Sequence, residues 1–341
     1  PTPSTSPVSE QSPPTGFEDA MCTAFAQTLG LERVGPDDNF FALGGHSLLA
    51  MRLAERLRAI GMRVDVRTII EAPTVSGLIE RLDMAAVQDA LGIVLPIRPY
   101  SEKSRRSGRP PVFCVHPVGG LSWCYLPLAR YVPDEYPLYG LQAEGLDGAA
   151  ELPCSVRDMA ARYIDSIKAV QQSGPYHLLG WSFGGIVAHE IAAQLQATGE
   201  QVASLIIMDA YPPRDQQPDT QAQSSDEPDL ADVMETMRAE QGRGLTAISE
   251  HELAILARVY RNNMQILRAH QFARFEGDML VVSATEGKQD AVSTTRWQPF
   301  VSGEIAEFAL PCEHSQMSRP DLLARAWDGI ASWRQVRTIG G

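Results

Sequence analysis

Hydrophobic positions recur at helical spacing over the first quarter of the chain. In residues 17–31, 47–60 and 74–82, apolar side chains return every three or four positions. This period gives each helix one apolar face, and Thr74 is placed to act as an N-cap. The pattern predicts a small all-α bundle of three or four short helices. A core of that size does not favour catalysis by this block alone.

Beyond residue 95 the pattern changes to short, continuous apolar runs that alternate with helical stretches. Because such runs are typical of buried strands, they predict a doubly wound, mostly parallel sheet with helices on both faces. In such a sheet the active groups lie at the carboxyl ends of the strands. The six runs are VFCVH (112–116), PLYGLQ (137–142), YHLLGW (176–181), ASLIIMD (203–209), MLVVSA (279–284) and IAEFAL (305–310).

Two polar segments separate these blocks. Residues 1–16 are rich in Pro, Ser and Thr and lack an initial Met, so we expect a linker and a chain cut from a longer polypeptide. The segment after the helices loses its period and collects charge and proline. We therefore predict a helical domain at 17–84, an interdomain linker at 85–95 and a sheet domain at 96–336.

One long interval interrupts the strand and helix alternation of the second block. Residues from about 211 to 275 contain two helical stretches and a polar, acidic loop at 214–229, with no strand pattern. An insertion of this length over the strand ends predicts a helical lid. A solvated surface segment is the alternative interpretation of the acidic loop.

Composition excludes several classes of function. The 42 acidic residues exceed the 29 basic ones, and the net charge of −13 without a dense Lys/Arg stripe argues against nucleic acid as a partner. Five scattered cysteines lack metal-ligand spacing and indicate thiols in the reducing cytoplasm. No apolar run reaches the roughly 18 residues of a membrane span, and no signal peptide pattern is present. We expect a cytoplasmic protein with no metal and no membrane partner.

The motif GWSFGG at 180–185 contains the strongest candidate nucleophile. It follows a predicted strand and opens a predicted helix, and its glycines permit the strained turn that lifts a serine hydroxyl above a sheet. This context distinguishes a nucleophile elbow from a chance match to G-x-S-x-G. Ser182 is therefore the predicted nucleophile.

A serine nucleophile needs a histidine base and a carboxylate that orients the base. In folds of this kind the chain order is Ser, acid, His, and of seven histidines only His314 lies in a loop after the last predicted strand. The acid stays open at this point, because Asp209 ends the run ASLIIMD, whereas Glu286 and Asp290 follow the run MLVVSA. The residues alone lean towards the later strand, which precedes Glu286 and Asp290.

Acyl transfer also needs backbone donors for a developing oxyanion. The amide of Phe183, directly after the nucleophile, is the first candidate. The second comes from the loop HPVGG at 116–120, which follows the first apolar run and offers Val118 or Gly119. An ordinary glycine turn is the alternative interpretation of this loop.

Together these motifs resemble two families. The stretch DDNFFALGGHSLLAMRL at 37–53 resembles the peptidyl carrier, or thiolation, domain of nonribosomal peptide synthetases. HPVGG, GWSFGG, IIMDAYPP and EHSQM are similar to motifs of the type I thioesterase domain, an α/β-hydrolase fold, and occur in the same order. The resemblance implies that Ser47 carries 4′-phosphopantetheine. It also favours Asp209 as the acid, with Glu286 and Asp290 as alternatives.

The resemblance implies partners and an activity as well. Leu48 and Met51 are expected on a docking surface, with core packing as the alternative. The partners would be upstream condensation and adenylation domains, a phosphopantetheinyl transferase and a peptidyl thioester. The expected function is transfer of a peptide from Ser47 to Ser182 and its release by macrocyclisation or hydrolysis, in secondary-metabolite biosynthesis. A proofreading thioesterase and a non-catalytic scaffold that docks the carrier are the alternatives.

Overall fold

Four helices surround a hydrophobic core in the first part of the chain, α1 (Gly16–Leu29), α2 (Ser47–Ala59), α3 (Val66–Glu71) and α4 (Val75–Arg81). The protein is seen here in a computed structural model that describes residues 16–59, 62, 64, 66–81, 92–146, 148, 150–213, 250–287 and 294–339. Phe25 and Phe40 are fully buried and meet edge to face at 5.5 Å between ring centroids. This unit, called the helical domain below, has the small all-α architecture that the apolar period predicts.

A seven-stranded sheet forms the second unit, called the sheet domain below. Its strands are β1 (Val94–Arg98), β2 (Val112–Val115), β3 (Leu138–Leu141), β4 (Tyr176–Trp181), β5 (Val202–Met208), β6 (Met279–Ala284) and β7 (Ile305–Leu310). The spatial order is β1-β3-β2-β4-β5-β6-β7, and every pair is parallel except β1 with β3. The predicted doubly wound, mostly parallel sheet is confirmed.

Helices connect the strands and cover both faces of the sheet. They are α5 (Glu102–Ser107), α6 (Val156–Val170), α7 (Phe183–Ala197), α8 (Glu250–Arg268) and α9 (Pro320–Ile339), with 3-10 helices at Trp123–Arg130, Thr294–Phe300 and His314–Gln316. One core lies between the sheet and α6, α7 and α8, and a second lies between the sheet and α9. Successive strand residues enter opposite cores, as Phe113 and Cys114 do.

The sequence pattern does not predict the first strand. β1 includes Val94 and Leu95, which fall in the range expected to be linker, and it pairs with β3 at the edge of the sheet. The Arg98 guanidinium anchors this strand by donating to backbone carbonyls, among them those of Ala129 and Tyr136. A five-residue strand with a proline gives too weak a pattern for sequence-based recognition.

The expected lid interval is only partly described. Residues 214–249, including the acidic loop, lie outside the described residues, whereas α8 belongs to the part that the structure shows. Within the described chain, every helix is too short or too polar to cross a membrane.

His177 shows how burial fixes a charge state in this fold. Its Nδ1 lies 2.7 Å from Ser204 Oγ, and Arg334 Nη2 donates to its Nε2 across 3.2 Å. Burial, with the nearby guanidiniums of Arg334 and Arg109, lowers the pKa of His177 to about 3. Below pH 6.5 the unfolded chain therefore binds a proton that the folded chain does not bind until about pH 3.

We expect His177→Gln to reduce the acid sensitivity of folding. Since the folded pKa is depressed, the free energy of unfolding is highest above pH 6.5 and falls with pH towards 3. The parent should lose about 2 kcal/mol more than His177→Gln between pH 7 and pH 5. All five tryptophans lie within residues 123–333, so urea unfolding followed by tryptophan fluorescence reports on the sheet domain. Equal pH slopes for the two proteins would contradict this account.

Candidate active site

Ser182 lies on a sharp turn between β4 and α7. Its backbone has φ 57° and ψ −129°, and its side chain makes no capping hydrogen bond to the helix that it precedes. A Cβ on Gly184 would lie 2.5 Å from the His116 carbonyl oxygen, which explains the glycine there. The turn holds the Ser182 hydroxyl above the carboxyl end of the sheet, as a nucleophile elbow does.

Asp209 is the residue directly after β5. Trp181 and Met208 are paired in the register of β4 and β5, so Ser182 and Asp209 leave adjacent strands side by side. The Asp209 backbone has φ 46°, and its amide donates to the Val282 carbonyl on β6 across 2.8 Å. Its side chain is only 3% exposed. A buried carboxylate is thus held next to the candidate nucleophile by backbone hydrogen bonds.

His314 begins the short 3-10 helix after β7. Its Nδ1 lies 2.8 Å from Asp209 Oδ2, while 45% of its side chain is exposed. Since a carboxylate only accepts, Nδ1 carries the hydrogen, and Nε2 is left to accept a proton. The ring also contacts Trp181, the residue before Ser182, at 5.5 Å between centroids. The histidine therefore contacts the Asp209 carboxylate and lies beside the residue that precedes Ser182, at the carboxyl end of the sheet.

Of the two alternative acids, Glu286 and Asp290, the structure describes only Glu286. Glu286 is exposed, and its amide donates to the Cys312 carbonyl across 3.0 Å. Asp290 lies outside the described residues. The histidine contact described above is made by Asp209. Among the residues that the structure covers, no group of three His, Cys, Asp or Glu side chains is arranged to hold a metal ion.

The HPVGG loop adjoins the elbow and is fixed by two side chains. His116 Nδ1 donates to the Pro117 carbonyl across 2.6 Å, and burial lowers the pKa of this histidine to about 4. Asn263 on α8, itself buried, donates from Nδ2 to the Val118 carbonyl across 2.8 Å. Phe183, the first residue of α7, is also buried and stacks near the His116 ring. The loop and the elbow thus form one fixed backbone framework.

Helix α8 packs directly on this loop. A Cβ on Gly120 would lie 2.8 Å from Val259, and Gly120 has φ 89°, so only glycine fits this position without strain. The adjacent Asn262 donates to the Pro153 carbonyl across 3.0 Å. Sequence reasoning missed Asn263 and the structural role of His116. An asparagine inside an amphipathic helix carries no signal that its partner is a carbonyl 145 residues away.

In the helical domain, the double glycine before Ser47 has a steric cause. Gly44 has φ 98°, and a Cβ on Gly45 would lie 2.5 Å from the carbonyl oxygen of the buried Phe40. This turn leads into α2, which begins at Ser47. Leu48 and Met51 follow on the helix with 53% and 47% of their surface exposed. The Ser47 side chain lies outside what the structure describes.

The start of α2 suits a phosphodiester. The first amides of a helix have no carbonyl partner within the helix and lie at the positive end of its dipole. The first turn of α2 contains no acidic residue. The hydrogen bond from the Ala50 amide to the His46 carbonyl is the first of the helix. The residues present therefore fit attachment of an anionic prosthetic group at this end.

Comparison with known protein families agrees with both units. The family model described as "Thioesterase domain" matches residues 110–329, and that described as "Phosphopantetheine attachment site" matches residues 19–82. The chain belongs to the thioesterase family and carries a phosphopantetheine-binding carrier domain ahead of the thioesterase domain. The cofactor of such a carrier is 4′-phosphopantetheine, and the pair is of the nonribosomal peptide synthetase type.

Individual relatives and solved structures agree with this assignment. A dimodular nonribosomal peptide synthase of Bacillus subtilis (strain 168) is 40% identical over 93% of this chain, which spans 14% of that protein. A solved four-domain nonribosomal peptide synthetase, bound to AMP and glycine, is 26% identical to this chain with a TM-score of 0.67. The match covers 98% of this chain and 27% of the synthetase chain. The thioesterase domain that cyclises the lipopeptide surfactin shares the fold, with 19% identity and a TM-score of 0.52. The match covers 68% of this chain and 97% of that domain. This chain spans a small part of the curated relatives.

We expect Gly45→Ala to loosen the helical domain, because the new methyl group would overlap Phe40. Overpacking of this kind costs about 1–3 kcal/mol. Gly30→Ala is the matched control: Gly30 has φ 72° but nothing within 4 Å of a Cβ, so its cost is about 1 kcal/mol. Hydrogen exchange measured by mass spectrometry should accelerate across 17–59 more in Gly45→Ala. Equal acceleration in both variants would contradict the steric explanation.

Proposed function

We propose that Ser182, His314 and Asp209 form the catalytic triad of a thioesterase that receives a peptidyl chain from Ser47 of the same polypeptide and releases it. The observation that supports this most is the 2.8 Å contact between His314 Nδ1 and the buried Asp209 carboxylate, beside the strained turn at Ser182. A partly exposed imidazole with an oriented Nε2 next to an elbow serine is what acyl transfer needs.

In this mechanism His314 Nε2 takes the proton of Ser182 Oγ as that oxygen attacks the thioester carbonyl. The carbonyl oxygen becomes an oxyanion, which accepts hydrogen bonds from the amides of Phe183 and Val118. When the oxyanion collapses, the carbon–sulfur bond breaks, and His314 returns its proton to the departing thiolate. The products are a free thiol and an acyl ester on Ser182.

The second half-reaction decides the product. His314 removes a proton from the entering nucleophile, which is water or a hydroxyl or amine of the bound peptide, and then protonates Ser182 Oγ as the ester breaks. Water gives a linear acid, and an internal nucleophile gives a macrolactone or macrolactam. We infer that helix α8, which packs on the HPVGG loop through Val259 and Asn263, helps to exclude water from the acyl ester.

On the carrier side, the role of this chain is attachment and presentation. Ser47 at the start of α2 is the proposed attachment residue, and the bound 4′-phosphopantetheine supplies a thiol that carries the acyl chain. Leu48 and Met51, about half exposed on the first turns of α2, form the proposed docking surface for partner proteins. Those partners are upstream condensation and adenylation domains and a phosphopantetheinyl transferase, and the proposed location is the cytoplasm.

The arrangement favours an enzyme over a non-catalytic scaffold. A carboxyl group that is only 3% exposed is tolerated inside a protein when hydrogen bonds compensate its burial. Here one of those partners is the ring of His314, which is 45% exposed, and a surface used only for docking a carrier does not need an oriented histidine. The strained backbone at Ser182 supports the same conclusion, because such strain is typical of functional residues.

Intact-mass spectrometry tests the proposed function directly. A phosphopantetheinyl transferase and a peptidyl coenzyme A load the chain, and the mass of the loaded protein is followed over time. We expect loading to require Ser47, and loss of the acyl mass to require Ser182. Asp209→Asn should slow this loss by about 10⁴-fold, whereas Glu286→Gln should leave it within about twofold of the parent. Ser315→Ala, next to His314, is a matched control for Ser182→Ala.

Each other outcome has a definite meaning. If Glu286→Gln loses turnover while Asp209→Asn keeps it, the proposed acid is wrong. If the acyl mass disappears equally fast in Ser182→Ala, release does not use the elbow serine, and the proposal fails. The mass of the released product distinguishes a linear acid from a ring that is one water molecule lighter.

We also expect Asn263→Asp to impair catalysis. This change replaces the amide donor to the Val118 carbonyl by a carboxylate, which repels that oxygen and displaces the loop that bears the second oxyanion amide. Acylation of Ser182 by a fluorophosphonate should slow by about tenfold or more. Asn262→Asp is the matched control, since Asn262 donates to a carbonyl outside the loop. Equal rates for the two variants would contradict the positioning of Val118 by α8.

A further inference from the structure

A chain of hydrogen bonds runs behind the candidate acid, on the side away from His314. The Tyr211 hydroxyl lies 3.2 Å from Asp209 Oδ1 and 2.9 Å from Ser283 Oγ on β6. Ser283 in turn donates to Glu307 Oε1 on β7 across 2.5 Å. Glu307 is exposed, so these hydrogen bonds link the buried carboxylate of Asp209 with the surface by way of β6 and β7.

The direction of each hydrogen bond follows from proton counting. Ser283 has one hydroxyl hydrogen, and the short contact with Glu307 has the length of a hydroxyl bound to a carboxylate. The Ser283 oxygen therefore turns a lone pair towards Tyr211, whose single hydrogen is shared between Ser283 Oγ and Asp209 Oδ1. Burial raises the pKa of Tyr211, so the phenol remains a donor across the neutral range. Asp209 Oδ1 receives a second hydrogen bond, from the Ala284 amide across 3.1 Å.

The backbone fixes the phenol in this place. Trp297 Nε1 donates to the Ala210 carbonyl across 2.9 Å, which anchors the peptide bond between Ala210 and Tyr211. Pro212 follows, and a residue before proline is restricted to extended conformations. Tyr211 is therefore directed back towards the strand ends by local chain geometry together with the two hydroxyl contacts.

We propose that Tyr211 is a positioning residue of the triad. Its hydroxyl, held by Ser283, fixes Asp209 Oδ1 so that Oδ2 faces His314 Nδ1. This inference rests on the proposed catalytic role of Asp209 and adds a residue that does not touch the substrate. Two donors on one oxygen prevent the carboxylate from rotating, and rotation would break the contact that sets the tautomer of the base.

Tyr211→Phe tests this role, because it removes the hydroxyl and keeps the ring. With p-nitrophenyl butyrate as the probe, kcat should fall by about tenfold, the usual effect of a lost hydrogen bond to a charged group, while KM stays within about twofold. Tyr176→Phe is the matched control: Tyr176 is a buried tyrosine at the far end of β4 whose hydroxyl donates to the Gln171 carbonyl. Tyr176→Phe should keep the parent kcat.

A double-mutant cycle tests the dependence of Tyr211 on Ser283. Ser283→Ala should lower kcat by several-fold in the parent, because the phenol loses the contact that holds its oxygen beside Asp209. In the Tyr211→Phe background the same change should have no further effect, since residues that act as one unit are not additive. Equal losses in both backgrounds would show that Ser283 acts independently of Tyr211.

The outcomes separate this inference from the proposed function. If the parent does not hydrolyse the ester, or if Ser182→Ala still does, the triad itself is wrong, and the positioning role fails with it. If hydrolysis requires Ser182 but Tyr211→Phe matches the parent, or if its KM rises with kcat unchanged, Tyr211 does not position the acid. A loss in Tyr176→Phe equal to that in Tyr211→Phe would indicate a general packing effect and would also overturn the proposal.

Discussion

The register between β4 and β5 is the constraint on which the candidate site depends. Because Trp181 pairs with Met208, the residues that follow them, Ser182 and Asp209, leave the sheet next to each other. The backbone reinforces this pairing, since the Ser182 amide donates to the Met208 carbonyl across 2.9 Å. A slip of one residue would turn each side chain to the opposite face of the sheet. The position of His314 then follows from its contact with the buried carboxylate.

Backbone strain is concentrated at the same two residues. Among described residues other than glycine, Ser182 and Asp209 are those with a positive φ. Such conformations cost about 1–3 kcal/mol each and persist only where the surroundings over-determine them. Here the surroundings are the parallel ladder, the elbow glycines and the amide of Ala284. The rigidity of the sheet is thus used to hold a serine and a carboxylate in positions that a flexible loop would not keep.

Much of this fold could be predicted from the sequence, because its patterns are local. Helical spacing in 17–84 and the alternation of apolar runs with helices define the two domains, and the glycines around Ser182 define the elbow. The choice of acid was different, since strand ends after β5 and β6 are equivalent until the position of His314 is known. Asn263 and Tyr211 were missed for the same reason. Val118, the partner of Asn263, and Ser283, a partner of Tyr211, are distant in the chain. They meet these residues only when helix α8 and the strand ends are assembled.

We propose that one serine, activated through a histidine and a buried aspartate, performs the acyl transfer. The most direct measurement is peptide mapping by mass spectrometry after reaction of the full chain with a fluorophosphonate, in the parent and in His314→Ala. We expect one adduct, on the peptide that contains Ser182, and its loss when His314 is replaced. An adduct on another serine, or labelling of Ser182 at the same rate without His314, would contradict it.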